Sequence, residues 1–158
     1  MNPAPSVQAV ILLADGTVYY GRAAGKIGTA IGEICFNTGM TGYQEIFTDP
    51  SYCGQIMVMT NVHIGNYGVR FSESESNKIQ ISGLVTREFT PVYSREVADT
   101  DLQNWIEGEG LVGITGVDTR ALVRHIRSKG AMNAIISSET ANLDELMVRL
   151  KQFPDMAG

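Results

Sequence analysis

Hydrophobic and polar positions alternate with a period near two in the first half of the chain and recur every three to four residues in the second. Val7 to Ala14 is an apolar, β-rich run, and the Asp15-Gly16 pair behind it favours a tight hairpin, since both residues tolerate positive φ. Thr17 to Ala23 is then the returning strand. Gly32 to Asn37 ("GEICFN") sets Ile34 and Phe36 against Glu33 and Cys35, as a half-buried strand does. The next nineteen residues, "NTGMTGYQEIFTDPSYCGQ" from Asn37 to Gln55, are too broken for a long helix and too polar for a buried strand. Gln55 to Thr60 and Ile79 to Glu88 are further strand candidates, separated by polar, glycine-containing sequence.

Beyond residue 100 the pattern becomes helical. Leu102, Trp105 and Ile106 follow Thr100 as an N-cap, with Gly108 and Gly110 as the stop. Leu111 to Thr115 reads as a short buried strand. Asp118 caps a helix through Ser128 that turns Leu122, Val123 and Ile126 inward and ends at Gly130. Ala131 to Ser137 is another strand. Asn142 caps a last helix whose stripe is Leu143, Leu146, Met147, Leu150 and Phe153, and Pro154 ends it. Strands first and β-α-β-α afterwards predict a mixed sheet system with helices on one side, an α/β or α+β layered domain.

Composition narrows the classes. The 158 residues suit one domain that removes roughly 68–70% of its unfolded surface from water. With 44% hydrophobic and 18% charged residues the chain has the makeup of a folded globule. A net charge of −5 argues against sequence-independent nucleic-acid binding, which needs a basic surface to displace counterions. The longest apolar run, Ala9 to Ala14, falls short of the roughly 18 residues of a membrane span. "MNPAPSVQ" lacks the basic start of a secretory signal, so a cytoplasmic location is expected, with Cys35 and Cys53 reduced.

Cys53, His63 and Asp49 are residue types of a thiol nucleophile, its base and an orienting carboxylate. No spacing enforces that arrangement, and the alternative is a packed Cys53 with His63 hydrogen-bonded in a loop. Cys35, mid-strand beside Phe36, is the poorer nucleophile because burial disfavours a thiolate. No Cys-x-x-Cys occurs and the two histidines are far apart, so no metal is expected. "GITGVDT" (Gly113 to Thr119) places glycines between strand and helix, as a phosphate-binding turn does, but it lacks both G-x-G-x-x-G and the P-loop Lys-Ser/Thr. Its bland reading is close strand-to-helix packing. Arg120, Arg124 and Arg127 recur at i, i+4, i+7 and form a basic stripe, either a solvated face or a surface for an acidic partner.

"GEICFNTGMTGYQEIFTDPSYCGQIMVMT" (Gly32 to Thr60), "HIGNYG", "GLVTRE" and "GITGVDTRALVRHIRSKGAMNAIIS" (Gly113 to Ser137) together resemble the N-terminal domain of the small subunit of glutamine-hydrolysing carbamoyl phosphate synthase. The resemblance runs from about Val7 to Phe153. One departure is Asn61-Val62, where the family commonly has Tyr-Pro; without the fixed φ of proline that loop is expected to be looser.

The resemblance implies a swivelling β/β/α three-layer domain over residues 1–153. Residues 154–158 would begin a linker to a class I glutamine amidotransferase domain. It implies docking on a large synthetase subunit that uses ATP and Mg, with no cofactor in this domain. The complex would make carbamoyl phosphate from glutamine, bicarbonate and ATP for arginine and pyrimidine synthesis. The family's nucleophilic cysteine belongs to the amidotransferase domain, so no catalytic residue is expected here. Ser51, in the Thr-Asp-Pro-Ser-Tyr segment, resembles the residue that reaches the bound glutamine; its alternative is to cap a turn. Pro50 would hold Asp49 extended and Ser51 at the tip of an ordered loop.

Overall fold

The computed structural model describes residues 7–39, 42–60, 63–64, 78–89 and 102–154. In chain order its strands are β1 (Gln8–Leu13), β2 (Val18–Gly25), β3 (Thr29–Asn37), β4 (Ile56–Met59), β5 (His63–Ile64), β6 (Gly83–Val85), β7 (Glu88–Phe89), β8 (Val112–Thr115) and β9 (Asn133–Ser137). The helices are α1 (Tyr43–Thr48), α2 (Leu102–Gly108), α3 (Thr119–Lys129) and α4 (Leu143–Gln152). Among the described residues the fold is a mixed α/β one.

The sheet does not stay open. Seven strands close into a barrel in the order β1-β2-β8-β6-β4-β3-β9, and β9 pairs antiparallel with both β3 and β1. β3, β4, β6 and β8 are mutually parallel, which requires crossovers; α1 lies between β3 and β4, and α2 between β6 and β8. β5 and β7 form a separate parallel pair.

Alternation along each strand explains the continuous apolar runs. In β1, Ala9, Ile11 and Leu13 point into the barrel with Ile34, Ile56, Val58, Val85, Ile114 and Ile136. Val10 and Leu12 point outward and pack with Ile135 under Leu146 and Leu150 of α4. Burying each of those two leucines contributes about 1.5–3 kcal/mol. On the far wall Met57, Met59 and Leu84 face outward against Phe47 of α1 and Leu102, Trp105 and Ile106 of α2. Strands covered on both faces have no polar alternate.

The expected placement of helices on one side is therefore corrected: α4 covers the β1–β9 wall and α1 with α2 the β4–β6 wall. α3 contributes Leu122, Val123 and Ile126 to the interior cluster and closes one end of the barrel. That is the end where β3, β4, β6 and β8 finish.

Local signals hold at the element ends. Asp118 Oδ1 accepts from the Ala121 N–H at 3.1 Å and Asn142 Oδ1 from the Glu145 N–H at 3.1 Å, so both predicted N-caps are in place. Gly130 ends α3 at φ +91°, and Pro154 follows α4. The β1–β2 hairpin turns through Ala14, Asp15 and Gly16, with Gly16 at φ +93°. Asp15 keeps a negative φ and instead accepts the Thr17 N–H at 3.0 Å. Thr100, expected to cap α2, lies outside the described residues. Of the strand expected over Ile79 to Glu88, only β6 and the first residue of β7 are extended, joined through Thr86 and Arg87.

Candidate functional site

The stretch after β3 is built as a bracket. Asn37 anchors it: its carbonyl accepts from both the N–H and the hydroxyl of Thr60 at 3.1 Å, and its Oδ1 accepts the Gly39 N–H at 2.7 Å. α1 starts at Gly42, in left-handed backbone without a side-chain cap. It is held instead by its buried face, because Phe47 is fully enclosed and stacks on Trp105 with ring centroids 6.3 Å apart. Thr48 donates its hydroxyl back to the Gln44 carbonyl at 2.9 Å.

Asp49 then leaves the helix at φ −72°, ψ 119°, the extended conformation expected before Pro50. Pro50, Ser51 and Tyr52 form one 3₁₀ turn, and Asp49 Oδ1 accepts the Ser51 N–H at 3.0 Å. The Ser51 N–H and hydroxyl hold the Asp49 carboxyl below the usual carboxylate range. The turn is stapled from behind: the Gln80 N–H donates to the Phe47 carbonyl at 2.8 Å, and the Gly54 N–H to the Gln80 carbonyl at 3.1 Å. A methyl group on Gly32 would stand 2.2 Å from the Gly54 carbonyl oxygen, so β3 presses directly on this turn. Ser51 is exposed at its tip. It precedes β4, at the end of the barrel opposite α3.

Of the other predicted residues, Asp49 and Cys53 flank this same turn as its N-cap and C-cap, and the rest are spread over other parts of the barrel. Arg120, Arg124 and Arg127 are all exposed on α3. They are not equivalent, because the Arg127 guanidinium lies 5.0 Å from the centroid of the Phe36 ring. In "GITGVDT", the Asp118 carboxylate occupies the first turn of α3. Gly113 serves close packing between strands rather than of strand on helix: a methyl there would stand 3.2 Å from the Ala24 carbonyl oxygen and 3.3 Å from that of Leu84.

Cys35 is half-buried in β3, and burial together with the charge of Glu33 pushes its thiol up to about 12. Cys53 is exposed just before β4. His63 follows β4 on the other side, so a strand of four residues, about 13 Å long, runs between the two backbone positions. The His63 side chain, Asn61 and Val62 lie outside the described residues. Among the described residues, no three His, Cys, Asp or Glu side chains group as metal ligands would. No described helix is long and apolar enough to cross a membrane.

Two features escaped the sequence reading. His125 Nε2 sits 2.5 Å from Asp15 Oδ2 and 3.1 Å from Thr17 Oγ1, clasping α3 to the β1–β2 hairpin. Its partners stand 110 and 108 residues away, beyond any local pattern. The second is Gly116, at φ +81°, where a methyl would stand 3.2 Å from Arg22 Nη1 and 3.6 Å from its Cζ. An Arg side chain therefore lies across the turn that leads into α3.

Comparison with known proteins gives these features a common frame. The family model described as carbamoyl-phosphate synthase small chain, CPSase domain, matches residues 11–136. The chain is 48% identical over its whole length to the carbamoyl phosphate synthase small chain of a Synechococcus species, covering 40% of that protein. It is 47% identical over 96% of its length to the one from Akkermansia muciniphila, covering 41% of it. For the one from Parasynechococcus marenigrum the identity is 46%, over 99% of the chain and 41% of the relative. The chain thus spans about two fifths of the curated relatives it matches. It belongs to the carbamoyl-phosphate synthase small chain family and carries that family's CPSase domain.

Proposed function

We propose that the chain is the non-catalytic N-terminal domain of a glutamine-hydrolysing carbamoyl phosphate synthase small subunit, which completes the glutamine pocket of a following amidotransferase domain and docks on a large synthetase subunit. The observation that carries this reading is the exposed Ser51 on a turn whose every backbone support is internal, in a chain of this family. A hydroxyl both donates and accepts, which suits the polar groups of an amino acid. The bracket of Asp49, Pro50, Phe47 and Gln80 removes the loop's freedom before any ligand arrives, so ordering it costs little on binding.

The reaction centre lies elsewhere in this proposal. Glutamine is hydrolysed in the amidotransferase domain, and ammonia is joined to bicarbonate on the large subunit with ATP and Mg, in the cytoplasm. The raised Cys35 thiol and the strand separating Cys53 from His63 favour this division over a free-standing thiol hydrolase. Two barrel walls with helices packed outside them are compatible with the swivelling β/β/α description.

The test is Ser51→Ala in the full small subunit. The KM for glutamine rises while co-elution with the large subunit is unchanged. An unaltered KM would remove Ser51 from the pocket.

A further inference from the structure

We propose that a face centred on Gly116 and formed by Arg22, Arg87, Arg120 and Arg124 is the docking surface for a carboxylate-rich patch of the large subunit, and that Arg127 is not part of it. This rests on the docking reading given above and redraws the contact surface.

Three separate segments bring the arginines together. Arg22, on β2, pairs with Thr115 on β8 and lays its guanidinium against Gly116. Arg87 follows β6, and its carbonyl accepts the Gly116 N–H at 3.0 Å. Arg120 and Arg124 lie on α3, which begins three residues after Gly116. All four side chains are exposed, and none has an acidic partner among the described residues. Of the carboxylates beside these arginines in sequence, Asp118 is turned to its own helix and accepts the Ala121 N–H, and Glu88, next to Arg87, is exposed.

In a chain of net charge −5, four arginines without an acidic partner among the described residues make a local field at one end of the barrel opposite in sign to the whole. Such a field selects a negative partner surface and steers its approach. Arginine rather than lysine favours forked pairing with carboxylates. Gly116 keeps the centre of the face flat, because a side chain there would displace the Arg22 guanidinium. Arg127 is taken by Phe36, so it is held to the domain itself. The Ser51 turn stands at the opposite end of the barrel, which lets the domain meet two neighbours at once, the amidotransferase domain there and the large subunit here.

The experiment measures the Kd of the full small subunit for the large subunit at several NaCl concentrations. Arg22→Glu with Arg120→Glu, and Arg87→Glu with Arg124→Glu, each weaken binding by about 10-fold or more and flatten its salt dependence. Gln at the same positions gives a smaller loss with size preserved, which separates charge from misfolding. Lys151→Glu on α4 stays within about 2-fold of the unaltered protein. Reversal of all four arginines with Kd and circular dichroism unchanged overturns the proposal while leaving the docking reading intact. Failure of the unaltered small subunit to bind at all sinks that reading, and the proposal with it.

Discussion

The guanidinium of Arg127 rests 5.0 Å from the centre of the Phe36 ring, tying the last turn of α3 to the end of β3. A cation over an aromatic face at a partly solvated site contributes about 0.5–1 kcal/mol. Arg127→Ala therefore lowers unfolding stability by about that amount in urea titration. Arg120→Ala, on the same helix with no such ring, changes it by less than about 0.5 kcal/mol.

The turn that presents Ser51 is set in part by a glycine on β3, Gly32, that lets the two backbones meet. Gly32→Ala would place a methyl 2.2 Å from the Gly54 carbonyl oxygen, and backbone must move to admit it. The expected cost is about 1–3 kcal/mol. In the full small subunit the displaced turn also raises the glutamine KM. Ser51→Ala raises that KM by about 5-fold, the worth of one hydrogen bond near 1 kcal/mol, with a smaller loss of stability than Gly32→Ala, because the Ser51 N–H still reaches Asp49. Steady-state kinetics beside thermal melts distinguishes the two.

The thiols separate cleanly. Cys35 is half-buried, its thiol pushed up to about 12, and it donates to the Ile56 carbonyl at 3.5 Å; Cys53 is exposed. At pH 8 a thiol reagent titrates one cysteine rapidly in the folded protein, and Cys53→Ser removes that phase. Because the folded Cys35 value stands above the unfolded one, its contribution to stability is complete below about 9 and is lost as pH climbs toward 12.

The Asp15–His125 clasp predicts acid sensitivity. Burial works to raise the Asp15 carboxyl, but the Thr17 N–H and hydroxyl and the neighbouring His125 outweigh it, and the group is held below its usual value. A carboxyl lowered on folding stabilises the native state above its unfolded value, and that contribution disappears as pH falls through the folded one. Asp15→Asn and His125→Ala each flatten the stability profile between about pH 5 and pH 2. Urea midpoints measured across that range show the difference.

Much of this was legible locally. Asp118 and Asn142 announce their helices because a cap and its N–H target are three residues apart. Asp49-Pro50 announces the ordered turn at Ser51 in the same way. The short helix α1 was hidden, since it starts on Gly42 without a capping side chain and depends on Phe47 meeting Trp105, 58 residues away. Barrel closure was hidden for a related reason. It depends on β9 pairing with β1 and β3, contacts across 100 residues or more that no periodicity encodes. The arginine stripe was visible, but its division was not: Arg127 belongs to Phe36, and Arg22 joins from a different strand.

In the function proposed above, this domain shapes a pocket and holds no reaction centre. Ammonia release from glutamine by the purified 158-residue chain tests it most directly. No release above the buffer rate is expected, with or without Cys53. Turnover at an enzymatic rate that Cys53→Ala abolishes would contradict it.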